Sequence, residues 1–500
     1  MKRLSFQAKT SYGLGNLGYG TISQTLNSFI MFFGTTVLGL SGTLVGVAVA
    51  ISAFWDGVSD PIIGYWSDVS SDRGFGKRLN YMFLSSFTMA LSNILLWIVP
   101  ISLPVVFKFL WFLISLLALE TSCTLFATPY FALGVDLAPD YSEQTTLQGF
   151  KTVFFILGMI LPSVFMMIFM PSGNNLQSQF SQKSYVDIGL ATSALCLLAG
   201  LVSTFGTIKA YKRHPIIENP EPTEKTSFSK TLSKFFVVMK SKNYSSIILG
   251  YSIALLSSAF LISVGMHLFT YAYHFNSTQI PILMAILFVS AILSQAFWIY
   301  LSNRTDKKRA LNISLITILF GIGFTVISFI FRQFVTTDTL FFMVCPAIFV
   351  CGFGTGSLYS LPMSMFADLL TMDKIKTGEN NSATYSGFMT IAFNVANSLA
   401  LLVIGFLLDF IKFDSTSPVQ ALSVQNGLGA IVFIGCSLSI AVSILFFSRY
   451  SLKRIDVLKA QMNYDFEQKN QNHTKNRMIL QSKPVDTPQK NTAFIDLNTS

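Results

Sequence analysis

The chain has 500 residues, of which 52% are hydrophobic and 12% charged, and its mean hydropathy is +0.56. Soluble domains carry about twice that share of charge, so a set of three soluble domains is excluded and a polytopic membrane protein is expected. The net charge of +10 calls for no nucleic acid, because the lysines and arginines sit in short connectors between apolar segments.

The basic start, Met1 to Phe6, is followed by no short apolar run with a cleavage site, which predicts that no signal peptide is removed. Twelve apolar segments follow, at 12–38, 42–66, 80–102, 104–134, 147–170, 187–211, 244–272, 279–302, 310–332, 339–366, 384–410 and 425–448. A membrane-crossing helix needs about 20 residues, so each can span. Counted from a cytoplasmic N-terminus, basic residues collect on the inner side: Lys2, Arg3 and Lys9, then Arg73, Lys77 and Arg78, then Arg304, Lys307, Lys308 and Arg309. The outer connectors hold little beyond Lys183, Arg332 and Lys412. This asymmetry predicts both termini in the cytoplasm, in a plasma or inner membrane, with lipid headgroups against the basic loops.

Residues 1–211 and 244–449 form two six-span halves. Residues 212–243, with Pro215, Pro220 and Pro222, read as a cytoplasmic linker, and 233–242 as a short amphipathic surface helix. The tail, 450–500, starts with a possible helix at 452–462 and is otherwise too polar to build a core, so it is expected to be largely disordered. The five cysteines, Cys123, Cys196, Cys345, Cys351 and Cys436, lie in apolar segments without metal or redox spacing and are read as packing residues.

The second segment contains Trp55-Asp56-Gly57-Val58-Ser59-Asp60-Pro61. A carboxylate in a membrane-spanning helix costs about 2.5–3.5 kcal/mol, and such residues mark ion or proton paths. Asp56 and Asp60 are four apart and share a helix face, about 6 Å from each other along the axis. Pro61 has no N–H, which frees the carbonyl of Gly57. Two carboxylates and a carbonyl on one face suit a small hard cation, so Asp56 and Asp60 are the candidate metal ligands. The alternative is that both pair with basic side chains and brace helices.

The halves echo one another. Ile63 to Asp68, with Arg73, Lys77 and Arg78 beyond, ends the second segment; Ile299 to Arg309 ends the eighth. Parallel six-span repeats with a cavity between them are the major facilitator architecture, an all-α membrane fold of twelve transmembrane helices. The inner basic loops are expected to bridge helix ends.

Lys9 to Gly18, Trp55-Asp56 through Asp60-Pro61, Thr128-Pro129-Tyr130, Glu143 through Lys151, Leu361 to Asp368, Thr377-Gly378 and Tyr385-Ser386-Gly387 follow in an order and spacing that resembles the glycoside–pentoside–hexuronide:cation symporters. The resemblance covers roughly residues 9–448 and implies symport of a small molecule, a sugar or glycoside, with Na⁺ or H⁺ as coupling ion and no other cofactor. It implies a cation site of Asp56, Ser59, Asp60 and Thr124, with a hydroxyl at Ser59 where the melibiose-type members have an amide.

The substrate site departs from that pattern. Gly20 and Ala127 stand where melibiose-type members carry sugar-binding carboxylates, Tyr19 and Lys151 where they carry a first-span basic residue and a fifth-span arginine, and Asn394 where they carry a lysine. Galactoside recognition is therefore not implied. Candidate replacements are Asn16, Glu120, Tyr359, Thr390, Asn394 and Asn397, with Tyr130 and Phe131 as aromatic walls. For Glu120 the alternative is pairing with a neighbouring helix; for the aromatics it is helix packing; and for His267 a satisfied core hydrogen bond is expected rather than proton carriage.

No phosphate-cradling glycine loop is present, so ATP is not the expected energy source, and no nucleophile–base pair or metal-ligand cluster suggests an enzyme. Animal lysolipid symporters share the implied fold and paired aspartates, so an amphipathic substrate is the second reading. A non-transporting receptor is the third, and a monomer is the expected functional unit.

Overall fold

The computed structural model describes residues 4–70, 75–138, 141–170, 177–213, 238–377, 382–414, 417, 419–453, 455–457, 459–460 and 462. Twelve long helices follow in order: α1 (Phe6–Phe32), α2 (Gly42–Val69), α3 (Lys77–Trp97), α4 (Val105–Leu137), α5 (Tyr141–Phe169), α6 (Gln182–Arg213), α7 (Lys242–His267), α8 (Gln279–Arg304), α9 (Lys307–Phe331), α10 (Thr337–Thr355), α11 (Ser382–Phe410) and α12 (Leu422–Ser448). Eleven spans are long and apolar enough to cross a membrane. The remaining long helix, α1, falls short because glycines, Lys9 and a run of Ser, Thr, Asn and Gln dilute its apolar content; it is nonetheless packed between α5 and α6.

The pairings repeat with a shift of six helices. In the first half α1 packs on α5 and α6, α3 on α4 and α6, and α2 on α4; in the second, α7 packs on α11 and α12, α9 on α10 and α12, and α8 on α10. The halves meet through α1–α7, α2–α11 and α5–α8. Even local irregularities recur. A π-helical turn, Phe33–Val37, ends α1, and another, Leu268–Ala272, ends α7. Such turns mark places where a helix departs from regular geometry, often at functional positions.

Local chemistry sets the helix ends. Ser5, Ser41 and Thr336 cap α1, α2 and α10 by accepting from the N–H groups of Ala8, Leu44 and Thr339. Helix α1 thus starts at Phe6, not at residue 12, because its first turns are capped and amphipathic. Helix α10 is broken: a 3-10 turn, Gly356–Tyr359, leads to a second arm, Leu361–Thr377. Pro362 has no N–H for the carbonyl of Leu358, which accounts for a break at that point.

Burial follows the membrane pattern. Large apolar groups such as Leu293, Phe320, Phe342 and Ile434 face outward, while Ser, Thr and Asn side chains fill helix contacts. Asn93 on α3 is an example: its amide donates to Gly189 O, Thr192 Oγ1 and Ser193 Oγ on α6 at 2.8–3.1 Å.

The ends of the bundle differ. At the end bearing Phe6, ion pairs join Lys9 to Glu143 (3.4 Å), Arg78 to Asp136 (2.9 Å) and Lys307 to Asp368 (2.6 Å). Each lies within one half. The basic loops after α2 and α8 thus do bridge helix ends, with acids drawn from α4 and from the second arm of α10. Among the described residues, the side-chain bonds that join the halves lie at the other end. There Thr35 bonds His267 (2.8 Å), Gln179 donates to Phe275 O (3.3 Å), and Asp409 accepts from Gly42 N and Thr43 N (2.6 and 2.8 Å). Gly405 permits this closure: a Cβ there would stand 2.3 Å from Gly42 O and 2.8 Å from Gly46 Cα.

Residues 214–237 of the linker, Arg73, Asn381 and the tail from 463 lie outside the described residues, as does the first half, 233–237, of the expected 233–242 helix; 238–240 and 242 are helical. Of the expected helix at 452–462, residues 455–457, 459–460 and 462 are helical, and 452–453 are not.

Candidate functional site

Helix α2 carries Asp56 to mid-bundle, where it faces α4. Thr124 donates to Asp56 Oδ1 at 2.9 Å, Ser59 donates to Asp56 O at 3.2 Å, and the Ser59 and Thr124 hydroxyls are 3.4 Å apart. One turn away, Trp55 Nε1 donates to Thr121 Oγ1 at 2.9 Å. Ser59 and Thr124 are 3% and 2% exposed, whereas Asp56 and Asp60 are half-buried. The hydroxyls therefore form the closed back of a shallow oxygen-lined site and the carboxylates its open side. Among the described residues neither Asp56 nor Asp60 has an ion-pair partner, so the helix-bracing arrangement is not what the structure contains.

Glu120 lies on α4 one turn before Thr124. The three carboxylates do not converge: among the described residues no three His, Cys, Asp or Glu side chains could hold one metal ion. A cation held here would draw on two carboxylates and hydroxyls. Glu120 has no ion pair among the described residues, so it does not brace a helix by that means. On the other side of α2, Asn394 of α11 faces Gly57, where a Cβ would stand 3.1 Å from Nδ2; that amide nitrogen is buried without a hydrogen-bond partner.

Between the halves is a cavity of about 340 Å³. Its polar lining comes from Ser23, Gln24 and Asn27 of α1, Tyr251, Ser258 and Ser263 of α7, Tyr359, and Asn397 of α11. Among the described residues, no charged side chain lines it.

The expected substrate residues divide. Gly20 and Tyr359 line the cavity. A Cβ at Gly20 would stand 2.9 Å from both the ring and the carbonyl oxygen of Phe155, so α1 and α5 approach too closely for an acid there. Asn16 is 3% exposed and donates to Lys151 O at 3.1 Å, which makes it a tie between α1 and α5 rather than a cavity wall. Ala127 is buried on α4. Lys151 places its ammonium 4.4 Å from the ring centre of Phe131, which meets Tyr19 edge-on. Thr390 is exposed on α11, one turn before Asn394.

Tyr130 is fully buried and stacks on Tyr12 at 4.4 Å, each hydroxyl donating to the other's backbone carbonyl. It is packing, not a substrate wall. His267 is buried between Phe32 and Phe413; its Nε2 bonds Thr35 at 2.8 Å, while its Nδ1 is buried without a hydrogen-bond partner among the described residues, so the satisfied core-histidine reading holds for one ring nitrogen only.

Sequence reasoning missed Ser23, Gln24, Asn27, Tyr251, Ser258 and Ser263. A signal was present. Gly20, Ser23, Gln24 and Asn27 recur at three- and four-residue spacing, so they share one face of a span whose other faces are not uniformly apolar.

The family described as MFS/sugar transport protein matches residues 11–454. A sodium-dependent lysophosphatidylcholine symporter of Xenopus tropicalis is 22% identical over 481 residues, covering 90% of this chain and 88% of the relative. A symporter of Synechocystis is 23% identical over 504 residues, covering 86% and 91%. Among solved structures, the nucleoside transporter NupG superposes with a TM-score of 0.60 at 13% identity, covering 90% and 100%, and a D-xylose–proton symporter with 0.62 at 12%, covering 90% and 98%. At such identities the structures speak for the fold, two six-helix halves, which is the fold built above from helix pairings. With the family matched along nearly the whole chain, this integral, multi-pass membrane protein belongs to the MFS/sugar transport family of the major facilitator superfamily.

Proposed function

We propose that the chain is a Na⁺-coupled symporter of the glycoside–pentoside–hexuronide:cation type, carrying a neutral, hydroxyl-rich molecule such as a sugar or glycoside. The observation that carries the reading is the Asp56–Thr124–Ser59 array, with Asp60 one turn away and, among the described residues, no basic partner on either carboxylate. A proton needs one carboxylate; buried hydroxyls beside two carboxylates suit a hard cation that takes several oxygens. The cation offsets one of the two charges on the half-buried carboxylates, which lowers the cost of closing the cavity around them. A substrate that favours the closed state shares that gain, so the two ligands are coupled and the coupling is reciprocal. Rocking of the halves about α1–α7, α2–α11 and α5–α8 then exposes the site to alternate sides.

The cavity supports a neutral polar substrate, because amides and hydroxyls line it and charges do not. A buried polar group left unmet costs about 1–3 kcal/mol, which favours a ligand with many hydroxyls. Glu120, Lys151 with Phe131, and Asn394 are proposed to contact substrate.

A second reading, an amphipathic lysolipid-like substrate, is favoured by an apolar groove of about 300 Å³ between α5 and α8, walled by Ile160, Val164, Met167, Ile282, Val289 and Phe349. Relatives named as lysophosphatidylcholine symporters point the same way. Uptake into proteoliposomes separates the readings. A panel of sugars, glycosides and lysolipids is offered with an inward Na⁺ gradient, an inward H⁺ gradient, or neither. Accumulation of a sugar or glycoside under the Na⁺ gradient is expected. Accumulation of a lysolipid alone selects the second reading, H⁺ dependence replaces the coupling ion, and no gradient dependence for any solute refutes symport.

A further inference from the structure

The end of the bundle bearing Phe6 holds a feature that the transport reading does not use. A pocket of about 890 Å³ lies between the α8–α9 turn and the strap that follows α12. Its charged lining is Lys308, Arg309, Arg449 and Lys453, against one carboxylate, Asp306.

The strap is held in place rather than draped. Lys308 donates to Ser448 O and Tyr450 O, both at 2.7 Å, and so occupies carbonyls that α12 leaves open at its end. Asn243, in the first turn of α7, accepts from Ser451 N and Ser451 Oγ, both at 3.0 Å. Tyr450 is buried beneath. With Lys308 committed to backbone, three cations remain among the described lining residues. Arg309, Arg449 and Lys453 are exposed and have no acidic partner among the described ion pairs; Arg449 rests over the ring of Phe446 at 5.5 Å, and Asp456 accepts from the backbone N–H of Lys453. At the wall, Asn312 has a buried side-chain oxygen with no hydrogen-bond partner. Rotating that amide by half a turn presents an NH₂ donor in its place.

We propose that this pocket binds the phosphate headgroup of an anionic membrane lipid. Three exposed cations around one cavity with a spare amide donor match a phosphate, whose oxygens take charge-assisted bonds from Arg and Lys. A lipid is favoured over a soluble anion by the apolar members of the same strap. Ile455 is 53% exposed and Leu452 lines the pocket, just beyond the last turn of a membrane-crossing helix, so apolar and basic groups are presented together at one level. Such an arrangement suits the headgroup–acyl boundary.

The test is thermal melting of the purified full chain in detergent, titrated with phosphatidylglycerol, phosphatidylcholine or inorganic phosphate. Phosphatidylglycerol is expected to raise Tm saturably, and phosphatidylcholine and millimolar phosphate are not. The triple variant Arg309→Gln/Arg449→Gln/Lys453→Gln is expected to need at least tenfold more phosphatidylglycerol for half its effect. The control Lys212→Gln/Lys240→Gln/Lys242→Gln, exposed residues at the linker ends, is expected to titrate as wild type. If the triple variant does not fold, each single variant serves, with an expected rise of about twofold or more. A pocket variant that titrates as wild type overturns the proposal. So does a control that loses as much, which means diffuse attraction, or inorganic phosphate that gives the same shift, which means a soluble-anion site.

Discussion

Asp409 is the residue whose removal most directly tests how the halves are held together at the end opposite Phe6. It sits in the last turn of α11, in the second half, and its two oxygens accept from Gly42 N and Thr43 N at the start of α2, in the first. Those N–H groups have no partner within their own helix, and the helix dipole adds positive charge at that point. Hydrogen bonds to a charged group contribute about 1.5–3 kcal/mol each before solvent screening. The pair is only part-buried, so a net value of about 2–3 kcal/mol for both bonds together is reasonable. Because the bonds exist only when this end is closed, Asp409→Ala should shift the population toward the state open there by about 30- to 150-fold. Asp409→Asn keeps an acceptor and loses the charge, so about tenfold is expected. The assay is labelling of a cysteine introduced at Asn27, which lines the cavity, by a membrane-impermeant maleimide in a chain whose five native cysteines are replaced. The labelling rate should rise in the order wild type, Asp409→Asn, Asp409→Ala. Equal rates in all three, with Tm unchanged, would refute the reasoning.

Gly405→Val should act in the same direction, since its Cβ would meet backbone at Gly42 and Gly46; the same labelling at Asn27 should quicken, and an unchanged rate would show that α2 and α11 part at no cost. Glu120→Gln tests the substrate role. About tenfold or more loss of affinity for an identified substrate is expected in a binding titration, corresponding to about 1.4 kcal/mol, with Na⁺ binding largely kept; unchanged affinity with a lower Tm would make Glu120 structural. Both termini are expected in the cytoplasm. Cysteines introduced near residues 180 and 470 should therefore label from opposite sides of the membrane, and labelling from one side would sink that orientation.

Much of the fold was legible in the chain. Apolar length and the placement of Lys and Arg marked the helices, and the Ile63–Asp68 and Ile299–Arg309 echo marked the repeat. What was not legible arose from local exceptions. The π-turns at Phe33–Val37 and Leu268–Ala272 have no composition signal distinct from the spans they end. The break in α10 did have one, three glycines at 352, 354 and 356 followed by Pro362, but such a cluster also occurs in unbroken membrane helices. At the site, Asp56, Ser59 and Asp60 share a face by spacing alone. Thr124 came from the resemblance, since nothing on α4 by itself says which residue meets α2. Asn16 shows the limit most clearly. A polar side chain inside a span faces protein rather than lipid, and whether it meets a cavity or the next backbone is set by how closely two helices approach, a tertiary property.

Asp56, Asp60, Ser59 and Thr124 are proposed to hold a sodium ion. Equilibrium binding of radioactive Na⁺ to the purified protein tests it without knowledge of the substrate. The account predicts saturable binding of one ion per chain, abolished by Asp56→Asn and by Asp60→Asn, and weakened about tenfold by Thr124→Ala, which removes one bond to a charged oxygen. Each variant should retain a cooperative melting transition. Folded Asp56→Asn protein that binds Na⁺ as the wild type does would contradict the account.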